Sequence, residues 1–148
     1  MKNKALLCLL LLLFPVMLKS QNESFDHFLS RFCEDSLFQM ERISFPLPRL
    51  YFDLDGLLSG KGDSYDTVYV DKSKWKFNRL YFDLFEMGSG ITEFYDNFDC
   101  KYRDTGEMVF RYVGLFTDVD LRYYFKRIRG KWYLVMTKSA DPVDPADR

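Results

Sequence analysis

The chain has 148 residues, with 21 basic side chains against 22 acidic ones, one histidine and three cysteines. That length suits one domain around one core. The near-neutral charge argues against a nucleic-acid partner, which needs a surplus of Lys and Arg on one face, and the lone His27 leaves no Cys and His spacing for zinc.

Met1 to Ser20 has a basic end (Lys2, Lys4), an apolar run from Ala5 to Leu18, and a small residue at Ser20 where a signal peptidase could cut. The run falls short of the roughly 20 residues that cross a bilayer, and Pro15 and Lys19 interrupt its end. Cys8 lacks the small residues that precede a lipoprotein cysteine. The pattern predicts a signal peptide over residues 1–20, a soluble product in the periplasm or outside the cell, and no membrane contact after cleavage. Losing Lys2, Lys4 and Lys19 takes the basic count from 21 to 18 against 22 acids, a net charge of −4.

Ser24 to Leu47 is the stretch around which the later strands are expected to close. Phe25, Phe28, Leu29 and Phe32 stand at i, i+3, i+4 and i+7, one stripe of a helix, with Asp26, His27, Ser30 and Arg31 facing away. Ser24 is the expected N-cap. Asp35 and Ser36 can cap a second short turn carrying Leu37, Phe38 and Met40, after which Pro46 and Pro48 bar further helix. Cys33 borders the stripe, and export would allow it a disulfide with Cys100; two buried thiols are the alternative.

Tyr51-Phe52-Asp53-Leu54-Asp55-Gly56 resembles the first motif of haloacid-dehalogenase-type phosphatases. That resemblance implies Asp53 as nucleophile and Asp55 as acid/base. Leu57 stands where that family has threonine, and the strands that come after it lack alternating helices. The preferred reading is a short strand ending in a Gly-rich loop through Gly56, Gly60 and Gly62. Lys72, Lys74, Lys76 and Arg79 around Trp75 and Phe77 read as a solvated loop or a lysine-guarded edge rather than a base-stacking groove.

Beyond this the pattern becomes period two. Tyr65–Val70 and Leu80–Phe85 are short β-type runs. Phe94, Phe98, Cys100 and Tyr102 share one phase, so a strand over Phe94–Arg103 is predicted to turn at Asp104-Thr105-Gly106 and pair with Met108–Phe116. Val119, Leu121, Tyr123 and Phe125 alternate with polar neighbours, and Arg129-Gly130-Lys131 returns the chain into Trp132, Leu134 and Met136. Residues 139–148, with two prolines and no apolar run, are expected to fray, leaving one domain over 21–138.

The order of elements predicts an α+β fold with an N-terminal helix packed on a curved antiparallel sheet. FCEDSLFQMERISFPL together with FKRIRGKWYLV (Phe125–Val135) resembles a domain-of-unknown-function family of secreted proteins from gut Gram-negative bacteria with a nuclear-transport-factor-two-like (cystatin-like) cone. The resemblance implies a cavity between helix and sheet, a usual place for a ligand. It brings no catalytic signature and no cofactor. Phe94, Asp96, Phe98, Tyr112 and Tyr123 are the candidate lining. The expected role is a non-catalytic cell-envelope module that binds a small apolar ligand or a partner protein. The alternative is a small isomerase or dehydratase with Asp96 as base and a phenol from Tyr112 or Tyr123. Tyr133 and Val135, opposite Trp132 in phase, add the expectation of a homodimer through the outer sheet face.

Overall fold

The structure is a computed structural model that describes residues 22–61, 64–80, 90–101 and 105–140. The proposed signal segment, the Gly62 end of the glycine loop, the strand over Leu80–Phe85 beyond its first residue, residues 102–104 of the predicted hairpin, and the tail from residue 141 lie outside them.

Two helices lead, α1 (Phe25–Glu34) and α2 (Ser36–Glu41). The apolar stripe read from the sequence is the buried one: Phe28, Leu29, Phe32 and Cys33 face inward on α1. Ser24 occupies the N-cap position, but its side chain makes no capping hydrogen bond. Asp35 does cap α2, its Oδ1 accepting from the backbone N–H of Leu37 at 3.1 Å and of Phe38 at 2.9 Å.

The strands are β1 (Leu47–Phe52), β2 (Tyr65–Val70), β3 (Gly90–Tyr95), β4 (Glu107–Gly114), β5 (Asp120–Ile128) and β6 (Lys131–Ser139), with a short helix α3 (Leu54–Leu58) after β1. They form one curved sheet in the order β2-β1-β6-β5-β4-β3. Every pairing is antiparallel except β1 with β6, which is parallel and so departs from the all-antiparallel expectation. A hairpin can join antiparallel neighbours, whereas β1 reaches β6 only because the chain between them builds the rest of the sheet.

The helices lie in the hollow of the sheet because Phe125 gives them a seat. Its ring is met by Phe25 at 5.5 Å, Phe28 at 5.6 Å and Phe32 at 5.7 Å between centroids, all edge-on. Such pairs add about 0.5–1.5 kcal/mol each beyond the area they bury. A clasp ties the start of the chain to the β5–β6 hairpin: the Arg42 guanidinium donates to both oxygens of Glu23 (2.8 and 3.0 Å), and Glu23 accepts the Trp132 backbone N–H at 2.8 Å. Burial would raise the Glu23 carboxyl, but these donors outweigh it and hold it below its ordinary value. The hairpin turn itself has Arg129 and Gly130 both at positive φ, 51° and 82°, the mirror-image turn whose twist suits a hairpin.

Two predicted phases are corrected. The strand over Phe94–Arg103 ends at Tyr95, and residues 96–100 form bends and turns with Cys100 at φ 57°, so period two no longer governs Asp96, Phe98 and Cys100. In β6 the register shifts by one residue, Phe125 pairing with Leu134 but Tyr124 with Met136. Such a bulge reverses which face later residues occupy. Met136 therefore leaves the Trp132 and Leu134 face, and Thr137 and Ser139 enter it. No disulfide joins Cys33 to Cys100: Cys33 lies in the core under α1, whereas Cys100 sits in the turn after β3.

The segment after β2 is held by one amide. Gln39, fully buried on α2, donates through Nε2 to the carbonyls of Phe32 (2.9 Å) and Asn78 (2.7 Å) and accepts through Oε1 from the Trp75 indole N–H (2.9 Å) and the Asn78 backbone N–H (3.2 Å). Removing it strands several buried donors and acceptors at about 1–3 kcal/mol apiece. Gln39→Ala is expected to lower the unfolding free energy by about 3 kcal/mol, read from urea titration followed by tryptophan fluorescence. A loss below about 1 kcal/mol would show that this segment is held by something else.

Candidate functional site

The sheet register sets one line of side chains across all six strands: Val68, Arg49, Thr137, Tyr123, Phe110 and Phe94 are successive partners. Directly paired residues point to the same face, and Tyr123 and Phe110 belong to the core, so this line runs along the inner face. A second inner line joins Tyr51, Ser139, Leu121 and Tyr112. Where these lines cross β1, β6 and β5, the hollow is left open and no residue of α1 or α2 lines it.

There the inner face forms a cleft of about 230 Å³. Its lining comprises Arg49 and Tyr51 from β1, Leu121 and Tyr123 from β5, Thr137 and Ser139 from β6, and Trp75 and Asn78 from the segment that Gln39 holds, bordered by Leu50, Arg122 and Lys138. Asn78 is fixed at both ends, its Nδ2 reaching the Tyr123 hydroxyl at 3.4 Å and its Oδ1 accepting the Leu80 N–H at 2.7 Å. Trp75 is buried and stands against Phe45, which removes it from the solvated loop and puts it in the wall.

Three cations border this cleft, and among the described residues only Arg122 is held by a carboxylate. Arg122 pairs with Asp120 at 2.7 Å, and Arg111 grips the same carboxylate at 3.0 Å. Burial would raise the Asp120 carboxyl, but the hydrogen bonds from Arg122 and Arg111 overcome it and hold Asp120 well below the usual carboxylate range. The Lys138 ammonium lies 3.7 Å from the centre of the Tyr65 ring. Arg49 has its guanidinium carbon 5.3 Å from the centre of the Trp75 ring, and no carboxylate among the described residues pairs with it. Cation–π contact with an indole leaves the N–H donors of a guanidinium unspent, so those of Arg49 remain available.

Of the five residues expected to line a ligand cavity, Tyr123 alone lines the cleft. Tyr112 is on the inner face but buried, its ring lying across Gly90, where a Cβ would come within 2.2 Å of it. Phe94 packs on Phe110 at 5.2 Å on the edge strand, and Phe98 folds to the outer face against Tyr124 at 5.3 Å. Asp96 sits in the bend after β3, its carbonyl accepting the Thr105 hydroxyl at 2.8 Å, away from the cleft. Asp53 is the N-cap of α3: Oδ1 accepts the Gly56 N–H and Oδ2 the Ser64 hydroxyl, both at 2.8 Å. These two donors, the Gly56 amide foremost, hold its carboxyl below the ordinary value. Of the two oxygens that a phosphatase nucleophile would use, one is thus spent on the helix cap and the other on the Ser64 hydroxyl, and a Cβ on Gly56 would collide with Asp53. Arg49, Thr137 and Ser139 escaped the sequence reading. Arg49 shares the alternation of Leu47 and Tyr51, but apolar Leu50 and Phe52 on the other phase hide it, and the two hydroxyls enter only through the bulge.

A family model with no more specific description than "-like" matches residues 23–141. Two solved structures supply the fold. One is the crystal structure of an NTF2-like protein from Bacteroides fragilis NCTC 9343, 19% identical with a TM-score of 0.56, covering 83% of this chain and 49% of its own. The chain belongs to the family of that model, and its fold is NTF2-like. The other structure, an NMR structure of a protein from Bacteroides uniformis ATCC 8492, is 21% identical with a TM-score of 0.51, covering 82% of this chain and 78% of its own. The chain thus spans about half the length of the Bacteroides fragilis protein. No curated protein matches the sequence. Family membership supports the helix-on-curved-sheet reading and is silent on chemistry.

The Asp120 cluster gives a pH prediction. A carboxyl whose folded-state pKa is depressed stabilises the fold above its unfolded value, about 3.9, and that contribution is lost as pH falls through the folded value. Asp120→Asn is therefore expected to be less stable than the parent at neutral pH and to lose less stability between about pH 4 and pH 2, measured by urea unfolding across that range. Parallel curves for the two proteins would contradict it.

Proposed function

We propose that this chain is a non-catalytic binding module of the bacterial cell envelope, exported by its N-terminal segment and taking a small molecule in the cleft between β1, β5, β6 and the Trp75–Asn78 wall. The observation that carries this reading is a concave site with a rigid wall: indole, amide and phenol groups of Trp75, Asn78 and Tyr123 are immobilised by hydrogen bonds to residues outside the cleft or to one another. Pre-set walls lower the ordering cost of binding. A 230 Å³ cleft lies below the roughly 300–1,000 Å³ of pockets for drug-sized molecules, so the ligand is small. The arrangement does not favour the isomerase reading, because Asp96 does not meet a phenol in the cleft.

The test is a ligand-observed NMR screen of the purified protein against small envelope metabolites, repeated with Thr137→Phe, which places a ring in the cleft at a strand position that tolerates aromatics. Binding is expected with the parent and at least about tenfold weaker with the variant. Hits that bind both proteins alike would place the site elsewhere. For export, residues 1–24 fused to an alkaline phosphatase lacking its own leader should give phosphatase activity outside the cytoplasm, and activity no higher than the leaderless enzyme would remove the envelope assignment.

A further inference from the structure

We infer that the cleft takes a small organic carboxylate with a flat apolar body, the carboxylate paired to Arg49 and the body set against the inner-face rings. The inference deepens the binding-module reading and rests on it. Arg49 carries it: an arginine on the inner face of a sheet, half-buried, faces an indole rather than a carboxylate among the described residues. Taking a guanidinium partly out of water is costly unless a counter-charge meets it. Arg111 and Arg122 on β4 and β5 meet this cost by sharing Asp120, and Arg42, just after α2, takes both oxygens of Glu23. At Arg49 the counter-charge falls to the ligand.

The neighbours narrow the class. Thr137 stands beside Arg49 in register and offers a hydroxyl, while no Asp or Glu among the described residues lines the cleft to repel an anion. The planar fork of arginine matches a carboxylate with two parallel hydrogen bonds. Trp75, Tyr123 and Leu121 supply the apolar surface. The small volume excludes a long chain, and a rigid ring loses least freedom on entry.

Benzoate and indole-3-acetate, each beside its uncharged primary amide, are suitable probes, titrated calorimetrically into the parent, Arg49→Gln, Arg49→Lys and Thr137→Phe. Expected is binding of at least one acid, with its amide at least about tenfold weaker. Arg49→Gln should erase that preference, while Arg49→Lys, which keeps the charge but not the fork, should retain part of it. Circular dichroism confirms that each variant is folded. If acid and amide bind equally and Thr137→Phe weakens both, the cleft binds small molecules and the carboxylate assignment is wrong. If neither acid binds by about 10 mM while neutral metabolites do, the assignment is likewise overturned. Failure of every compound, charged or neutral, removes the binding-module reading with it.

Discussion

The buried amide of Gln39 is the contact on which the rest of this architecture turns. A glutamine side chain has two donors and one two-lone-pair acceptor, and here each side serves two partners on segments far apart in sequence. On one side it is anchored to the end of α1 through the Phe32 carbonyl. On the other it fixes Trp75 and Asn78, which close the hollow of the sheet beside β1. A leucine of similar size would fill the same space and leave the indole N–H and the Asn78 backbone without partners, so the position demands a polar residue although it is fully buried. Helix packing and cleft wall are consequently one structure.

The second constraint is the extra residue in β6. Along the half of β6 that pairs with Phe125 and beyond, Trp132 and Leu134 face α1 and the core is apolar. Past the bulge, Thr137 and Ser139 take the inner face beside Arg49 and Tyr51. The same strand thus closes a hydrophobic core at one end and presents hydroxyls at the other. Together with the parallel placement of β1, this gives the inner face two zones, one beneath the helices and one open.

Much of the fold was legible because single-face burial writes itself into spacing. Phe25, Phe28, Leu29 and Phe32 lie on the α1 stripe, and Leu121, Tyr123 and Phe125 alternate on β5, as the sequence implied. Illegible parts share a cause: a local event that breaks the period. The turn after Tyr95 severed Asp96 and Phe98 from the strand assigned to them, and the bulge moved Met136 out and two hydroxyls in. Gln39 was hidden for a different reason, since a lone glutamine on a short helix looks solvated until its distant partners are known. The aspartates of Tyr51–Gly56 show the converse. A motif that suggested chemistry is a helix cap, because an Asp three residues before a glycine N–H satisfies the backbone as readily as it attacks phosphorus.

If a side chain of α2 holds the cleft wall in place, the wall should open only when that side chain lets go. Hydrogen exchange at the Trp75 indole N–H and the Asn78 backbone N–H, followed by NMR on the purified protein, reads this directly. Both are predicted to exchange as slowly as core amides of β5, because opening them requires breaking the Gln39 contacts. Exchange as fast as that of the exposed Lys72–Lys74 turn would contradict it.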